Sequence, residues 1–297
     1  MEERVRYFNP GVLEIAAAAL IWGSMGVLIR LLQMGPVAIV FWRSAFACAA
    51  LLLFMLLTGR ARQLVVRRHR LLLALTGILL LFSMVFFVLA VQLTTIANAV
   101  LIVYTAPVLI ALLAPLILRE RFELRMLLSL ALALTGIALI VAPRGLSLES
   151  RHALGVAYAF ACAFSYALLV LAGKKIVHAV SARVIAFYQS LLAAVLLLPF
   201  AARLPPPPAA VSWVMLVVLG IVHTALAGML YLAGLRTVKA ADAGTLSYLE
   251  PLSAAVYALV FLGEPLTSGV IAGGLLIVAA GWIVIVFRPA GPAAVPR

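Results

Sequence analysis

Residues 93–122 read LTTIANAVLIVYTAPVLIALLAPLILRERF, and residues 237–266 read TVKAADAGTLSYLEPLSAAVYALVFLGEPL. A shift of 144 positions lays the first over the second, so that Ala97 meets Ala241, Ala99 meets Ala243, Tyr104 meets Tyr248, Pro107 meets Pro251 and Glu120 meets Glu264. The same offset sets Trp22 against Tyr166 and Arg30 against Lys174, and one further residue brings Gly136 onto Gly281. An internal repeat of this length makes the chain two copies of one structural unit.

What the unit is follows from composition. Of 297 residues, 67% are hydrophobic and 10% charged, whereas a soluble domain is nearer one half and one quarter. The apolar runs are close to the length that a bilayer-spanning helix needs, which excludes a transmembrane barrel with its short alternating segments. Cutting at charge, Pro and Gly clusters gives ten predicted spans, 12–34, 36–58, 71–91, 95–118, 125–142, 153–173, 181–202, 211–234, 241–262 and 267–287. Each half thus holds five. An odd number forces the second half to enter the bilayer from the opposite side, which makes the repeats inverted.

The formal net charge is +13, and 17 of the 22 Lys and Arg residues fall at the ends that share a side with the N-terminus. Cytoplasmic ends of spans hold the positive residues, so both termini are expected in the cytoplasm. Spread in this way the charge reports topology, not nucleic-acid binding. The start MEERVRYFNPG has two acids and no small-residue cleavage pattern, and is read as leading into a retained first helix. Cys48 and Cys162 lie within apolar runs as packing residues; neither a metal site nor a cofactor motif is found, and no Walker loop suggests ATP coupling.

The two halves resemble the EamA repeat of the drug/metabolite transporter superfamily. The resemblance is carried by Leu-Ile-Trp-Gly-Ser (20–24), Phe-Trp-Arg-Ser (41–44), Thr-Ala-Pro (105–107) and Arg-Glu-Arg (119–121), with Tyr-Leu-Glu-Pro (248–251) and Gly-Glu-Pro (263–265) in the second half. It implies a ten-helix carrier of the bacterial inner membrane, commonly an exporter of amino acids or other small metabolites. A multidrug or other metabolite carrier and an uptake permease remain as alternatives. An intramembrane enzyme would need a nucleophile with a base, or a metal cluster, and the sequence shows neither.

Ionisable groups at bilayer depth are the first functional candidates. Glu250 lies nine residues into the ninth span, about 13 Å deep in a core about 30 Å thick. Pro251 follows it, and Pro107 is the repeat mate of Pro251, so each half carries a predicted helix break at equivalent depth. His223 lies at similar depth in the eighth span. With Glu250 it is a candidate for proton coupling, the alternative being a hydrogen-bonded core histidine. Arg43 has two readings, a planar fork for a substrate carboxylate or a cation that snorkels to the outer interface. Trp22, Tyr104, Tyr166 and Tyr248 are candidate cavity walls, with Asn98 and Gln189 as polar candidates in the same cavity. Trp213 and Trp282 fit an interface belt, and Gly136, Gly273, Gly274 and Gly281 predict that the fifth and tenth spans pack together. The implied partners are a small-molecule substrate, protons and the bilayer, in a monomer or weak homo-oligomer.

Overall fold

The computed structural model describes residues 9–32, 34–94, 96–120, 123–141, 153–204, 207, 209–263 and 267–286. Arg4, Arg6, Arg121, Arg144, Arg151, Glu264, Pro265, Arg288 and Arg297 lie outside the described residues, as does the side chain of Asn98. Among the described residues the chain is helical throughout, with no strand. The helices are α1 (Pro10–Gly23), α2 (Met25–Leu32), α3 (Pro36–Leu57), α4 (Arg70–Leu93), α5 (Ile96–Val103), α6 (Ala106–Leu118) and α7 (Leu124–Val141). After these come α8 (Ala153–Ile176), α9 (Ala182–Ala201), α10 (Ala210–Val218), α11 (Ala227–Gly234), α12 (Ala240–Leu246), α13 (Leu249–Leu262) and α14 (Ser268–Val286). A 3-10 turn covers Ala61–Leu64, and a π-helical segment, Leu219–Leu226, joins α10 to α11.

Among the described residues, seven helical stretches are long and apolar enough to cross a membrane: Pro10–Ile29, Pro36–Leu57, Arg70–Ala90, Ala99–Leu118, Ala153–Ile176, Ala182–Ala201 and Ala210–Gly234. Leu124–Ile140 and Ser268–Val284 are shorter apolar helices. Large apolar side chains cover the outside of the fold, as a hydrocarbon solvent allows; Leu57, Leu71, Leu116 and Leu124 are each more than three quarters exposed.

Prolines and small polar residues set the helix starts. Pro10 and Pro36 each sit at the first helical position, where their missing N–H is no loss, and the Asn9 side chain caps α1 by accepting from Gly11 N–H at 2.7 Å. Two helices end in the left-handed conformation at repeat-equivalent positions, α6 at Arg119 (φ 58°) and α13 at Gly263 (φ 67°).

Packing follows the repeat. The most extensive pairings are α4 with α8 and α9, α7 with α14, α3 with α9, and α1 with α11 and α13, and every one joins a helix before residue 142 to one after residue 152. Exchanging the halves leaves the pattern unchanged: α1 against α11 corresponds to α8 against α4, and α1 against α13 to α8 against α6. One apolar core draws on both halves, from Ile15, Ala47, Leu51 and Ile110 to Leu171, Ile185, Leu235 and Leu246. The expected contact between the fifth and tenth predicted spans is the α7–α14 pairing. It closes at Gly136 and Gly273, where a Cβ on Gly136 would stand 2.6 Å from the Gly273 carbonyl oxygen. Gly281 has open space beside it and takes no part in the crossing.

Candidate functional site

The two predicted breaks are present, and each lies just before its proline. Between α5 and α6 the chain turns at Tyr104–Thr105, and between α12 and α13 at Ser247–Tyr248. Pro107 and Pro251 then occupy the first turns of α6 and α13, where a proline is compatible with the helix it starts but not with the one before it. Val108 N–H, which a continuous helix would direct to Tyr104, bonds the Thr105 carbonyl at 2.9 Å. The freed Tyr104 carbonyl accepts from the Tyr248 hydroxyl at 2.6 Å, so one break of each half is tied to the other. The two rings lie 5.9 Å apart.

Glu250 falls in the first turn of α13, directly after its break. Gly23, the last residue of α1, lets that helix press on this turn: a Cβ there would stand 2.8 Å from the Glu250 carbonyl oxygen. The side chain of Glu250 is half-buried, and its charge acts on the guanidinium of Arg43 and on the phenols of Tyr104, Tyr166 and Tyr231. Trp22 lies against the same group, its ring 5.3 Å from that of Tyr231. Trp22, Tyr104, Tyr166 and Glu250 each keep some accessible surface. The Tyr231 hydroxyl is buried beside Tyr166 and Ser247 without a well-formed hydrogen bond to either.

Arg43 is buried in α3. Its Nε donates to Thr224 Oγ1 at 2.9 Å and its Nη1 contacts Met25 Sδ at 3.2 Å. Those partners come from two irregular stretches, the α1–α2 break at Ser24 and the π-helical segment. A π turn leaves carbonyls without their usual donors, and side chains supply replacements here. Thr224 Oγ1 donates to Leu219 O at 2.8 Å, Trp22 Nε1 donates to His223 O at 2.8 Å, and His223 Nδ1 stands 3.3 Å from Val218 O. His223 Nε2 is 2.8 Å from Ser24 Oγ. Neither ring nitrogen of His223 therefore faces Glu250, and the two proton-coupling candidates are not in described contact.

The remaining candidates divide. Tyr248 is fully buried and its hydroxyl is taken by Tyr104, which makes it a strut between the breaks more than a cavity wall. Gln189 is half-buried in α9, next to Tyr188, whose hydroxyl donates to Leu64 O at 2.7 Å; no described hydrogen bond links Gln189 to the Glu250 group. Trp42 and Trp213 pack together with ring centroids 4.7 Å apart. The sequence alone does not single out Thr224, Tyr231 or the π segment, and Ser24 enters only within the motif at 20–24. Only Thr224 carried a signal, a hydroxyl beside His223 at mid-span.

Known proteins agree with this architecture. The profile of the EamA-like transporter family matches at residues 9–142 and again at 153–286. An uncharacterized transporter of Archaeoglobus fulgidus is 30% identical over 92% of this chain and 96% of its own length. The uncharacterized transporter YxxF of Bacillus subtilis is 28% identical over 86% of this chain and 83% of its own. The uncharacterized inner membrane transporter YicL of Salmonella typhimurium is 28% identical, covering 91% of this chain and 93% of itself. One crystal structure superposes with a TM-score of 0.82 over 92% of this chain and 95% of the other at 20% identity, a likeness of fold alone. With a doubled family match that reaches from α1 to α14 and a full-length relative at this identity, the chain belongs to the EamA-like transporter family.

Proposed function

We propose that this multi-pass membrane protein is a secondary carrier of the bacterial inner membrane that exports amino acids or related small metabolites by alternating access. It crosses the bilayer ten times as two inverted five-helix repeats, 12–142 and 153–287, with both termini in the cytoplasm. The observation that carries the reading is the placement of Glu250 and Arg43, opposite charges within each other's field with no ion pair between them, in the company of Tyr104, Tyr166 and Tyr231. A zwitterion fits that pair: its carboxylate would face the Arg43 fork and its ammonium Glu250, with an aromatic wall for the side chain.

Glu250 is also the group that would exchange a proton for substrate. Its carboxylate has no hydrogen-bond donor among the described residues, so protonation breaks no contact. His223, held by Ser24 and Val218, has the weaker claim to this role.

Overexpression should protect cells from growth inhibition by some members of a panel of amino acids, dipeptides and toxic analogues. Arg43→Gln and Glu250→Gln should each abolish that protection while the protein remains in the membrane. In vesicles Glu250→Gln should remove the dependence of transport on the pH gradient. Protection by no member of the panel would refute export, and an unchanged pH-gradient dependence in both Glu250→Gln and His223→Ala would refute proton coupling through these groups.

A further inference from the structure

Away from the aromatic site, six charged residues collect where the α6–α7 connection meets the start of α12. The Glu123 carboxylate accepts from both Lys239 Nζ and Arg125 Nε. Arg125 Nη2 lies 3.5 Å from Asp242 Oδ2, and Asp242 is only 1% exposed. Glu120 accepts from Ala240 N–H at 3.0 Å, the first backbone donor of α12. Lys174, near Glu120, donates to the carbonyls of Leu235 and Val238 at 2.5 and 2.6 Å and so holds the α11–α12 connection. Glu120, Glu123 and Arg125 come from the first half, and Lys174, Lys239 and Asp242 from the second. The cluster therefore clamps one half to the other.

Two facts give the clamp a purpose beyond stability. The first is position. Asp242 opens α12, and the other end of that short helix is the Ser247–Tyr248 break, with Glu250 eight residues on, about 12 Å along a helix. The clamp thus stands one short helix away from the site, on one side of it. The second is asymmetry. At the 144-residue offset Glu123 corresponds to Thr267, Arg125 to Gly269, Lys239 to Thr95 and Asp242 to Asn98; only Glu120 and Lys174 keep charged mates, Glu264 and Arg30. Four of the clamp's six charges have no charged counterpart in the repeat.

We propose that Glu123, Arg125, Lys239 and Asp242 form an ionic gate that closes the cytoplasmic mouth and holds the unloaded carrier open to the outside. This rests on the carrier reading and on its orientation. The chemistry suits a gate. Ion pairs at a mouth are exchanged for hydration when it opens, so the two states stay close in free energy, whereas an apolar plug would have to expose its surface to water. In the repeat-equivalent positions the sequence carries no charge, so the opposite mouth opens more readily, and the difference between the mouths sets the resting state.

The test reads access from each side and needs no substrate. Cys48 and Cys162 are replaced by Ala, and a single reporter is introduced, Ser247→Cys below the site or Ser24→Cys beside it. Labelling by a membrane-impermeant maleimide is followed in inside-out vesicles for the first reporter and in right-side-out vesicles for the second. Arg125→Gln, and separately Lys239→Gln at the more exposed member of the network, should raise cytoplasmic labelling about fivefold or more and slow outer labelling correspondingly. Rates that stay unchanged overturn the gate, as do rates that rise at both reporters, which a general loosening of the fold would produce. Failure of the substrate panel would leave this labelling result intact, so the two readings fail separately.

Discussion

Replacing Tyr248 by Phe removes one oxygen and leaves the ring in place, which isolates the contact between the helix breaks. The hydroxyl donates at 2.6 Å to the Tyr104 carbonyl, and the Tyr248 side chain is fully buried. The carbonyl is available only because the break diverts Val108 N–H to Thr105. Two magnitudes compete. Hydrogen bonds between side chains in membrane proteins average only about 0.6 kcal/mol, because the alternative states also find partners. A buried carbonyl left with no donor costs about 1–3 kcal/mol, and here the second figure governs, since the acceptor cannot return to a helix ladder that the break has removed. A loss of about 2 kcal/mol follows, or a fall of about 4 °C in the unfolding midpoint of a domain of this size. The assay is thermal unfolding in detergent at a fixed heating rate, with Tyr257→Phe as the control, since Tyr257 stacks on Phe261 and no described hydrogen bond uses its hydroxyl. A midpoint for Tyr248→Phe that matches that of the control would refute the idea that the breaks are braced by this bond.

Gly136→Leu should cost about 3 kcal/mol and abolish the monodisperse peak in size-exclusion chromatography, because its side chain meets the α14 backbone, whereas Gly281→Leu, with open space beside it, should behave as the parent. Burial alone would raise the pKa of Glu123, but the hydrogen bonds and charges of Lys239 and Arg125 outweigh it and hold the carboxyl below its ordinary value of 4.5. A depressed folded pKa means stability that is complete above the unfolded pKa and lost as pH falls through the folded one. The unfolding midpoint of the parent should therefore drop below about pH 4.5 more steeply than that of Glu123→Gln; parallel curves would refute the assignment.

Much of this could be read in the sequence because repeats and prolines leave marks that need no tertiary information. The 144-residue offset pairs Tyr104 with Tyr248, which the fold brings into contact, and each proline lies within three residues of its break. The small shift has a local cause: a proline forbids the turn before it and is at home in the turn it begins, so the chain breaks at Tyr104–Thr105 and Ser247–Tyr248. The π segment carries no such mark. It is stabilised by Trp22, which lies 201 positions from His223, and no pattern within residues 219–226 demands it. Asp242 carries no mark of its own, because a charge at the start of a span looks interfacial in one dimension; in the fold it is buried beside Arg125, which belongs to the other half.

The exchange of partners between the halves bears on how the protein is made. Each of the largest helix pairings joins a segment before residue 142 to one after residue 152, so the first five hydrophobic segments leave the ribosome with few of their lasting neighbours. Their close-packing surfaces, Gly136 on α7 among them, must wait in lipid until the second copy is inserted. α1 waits longest for its match, since its partners α11 and α13 lie more than 200 positions further along the chain. The unit that was duplicated in the sequence is for this reason not a unit of folding, and a truncated chain ending between the halves should be a substrate for membrane proteases rather than a half-sized carrier.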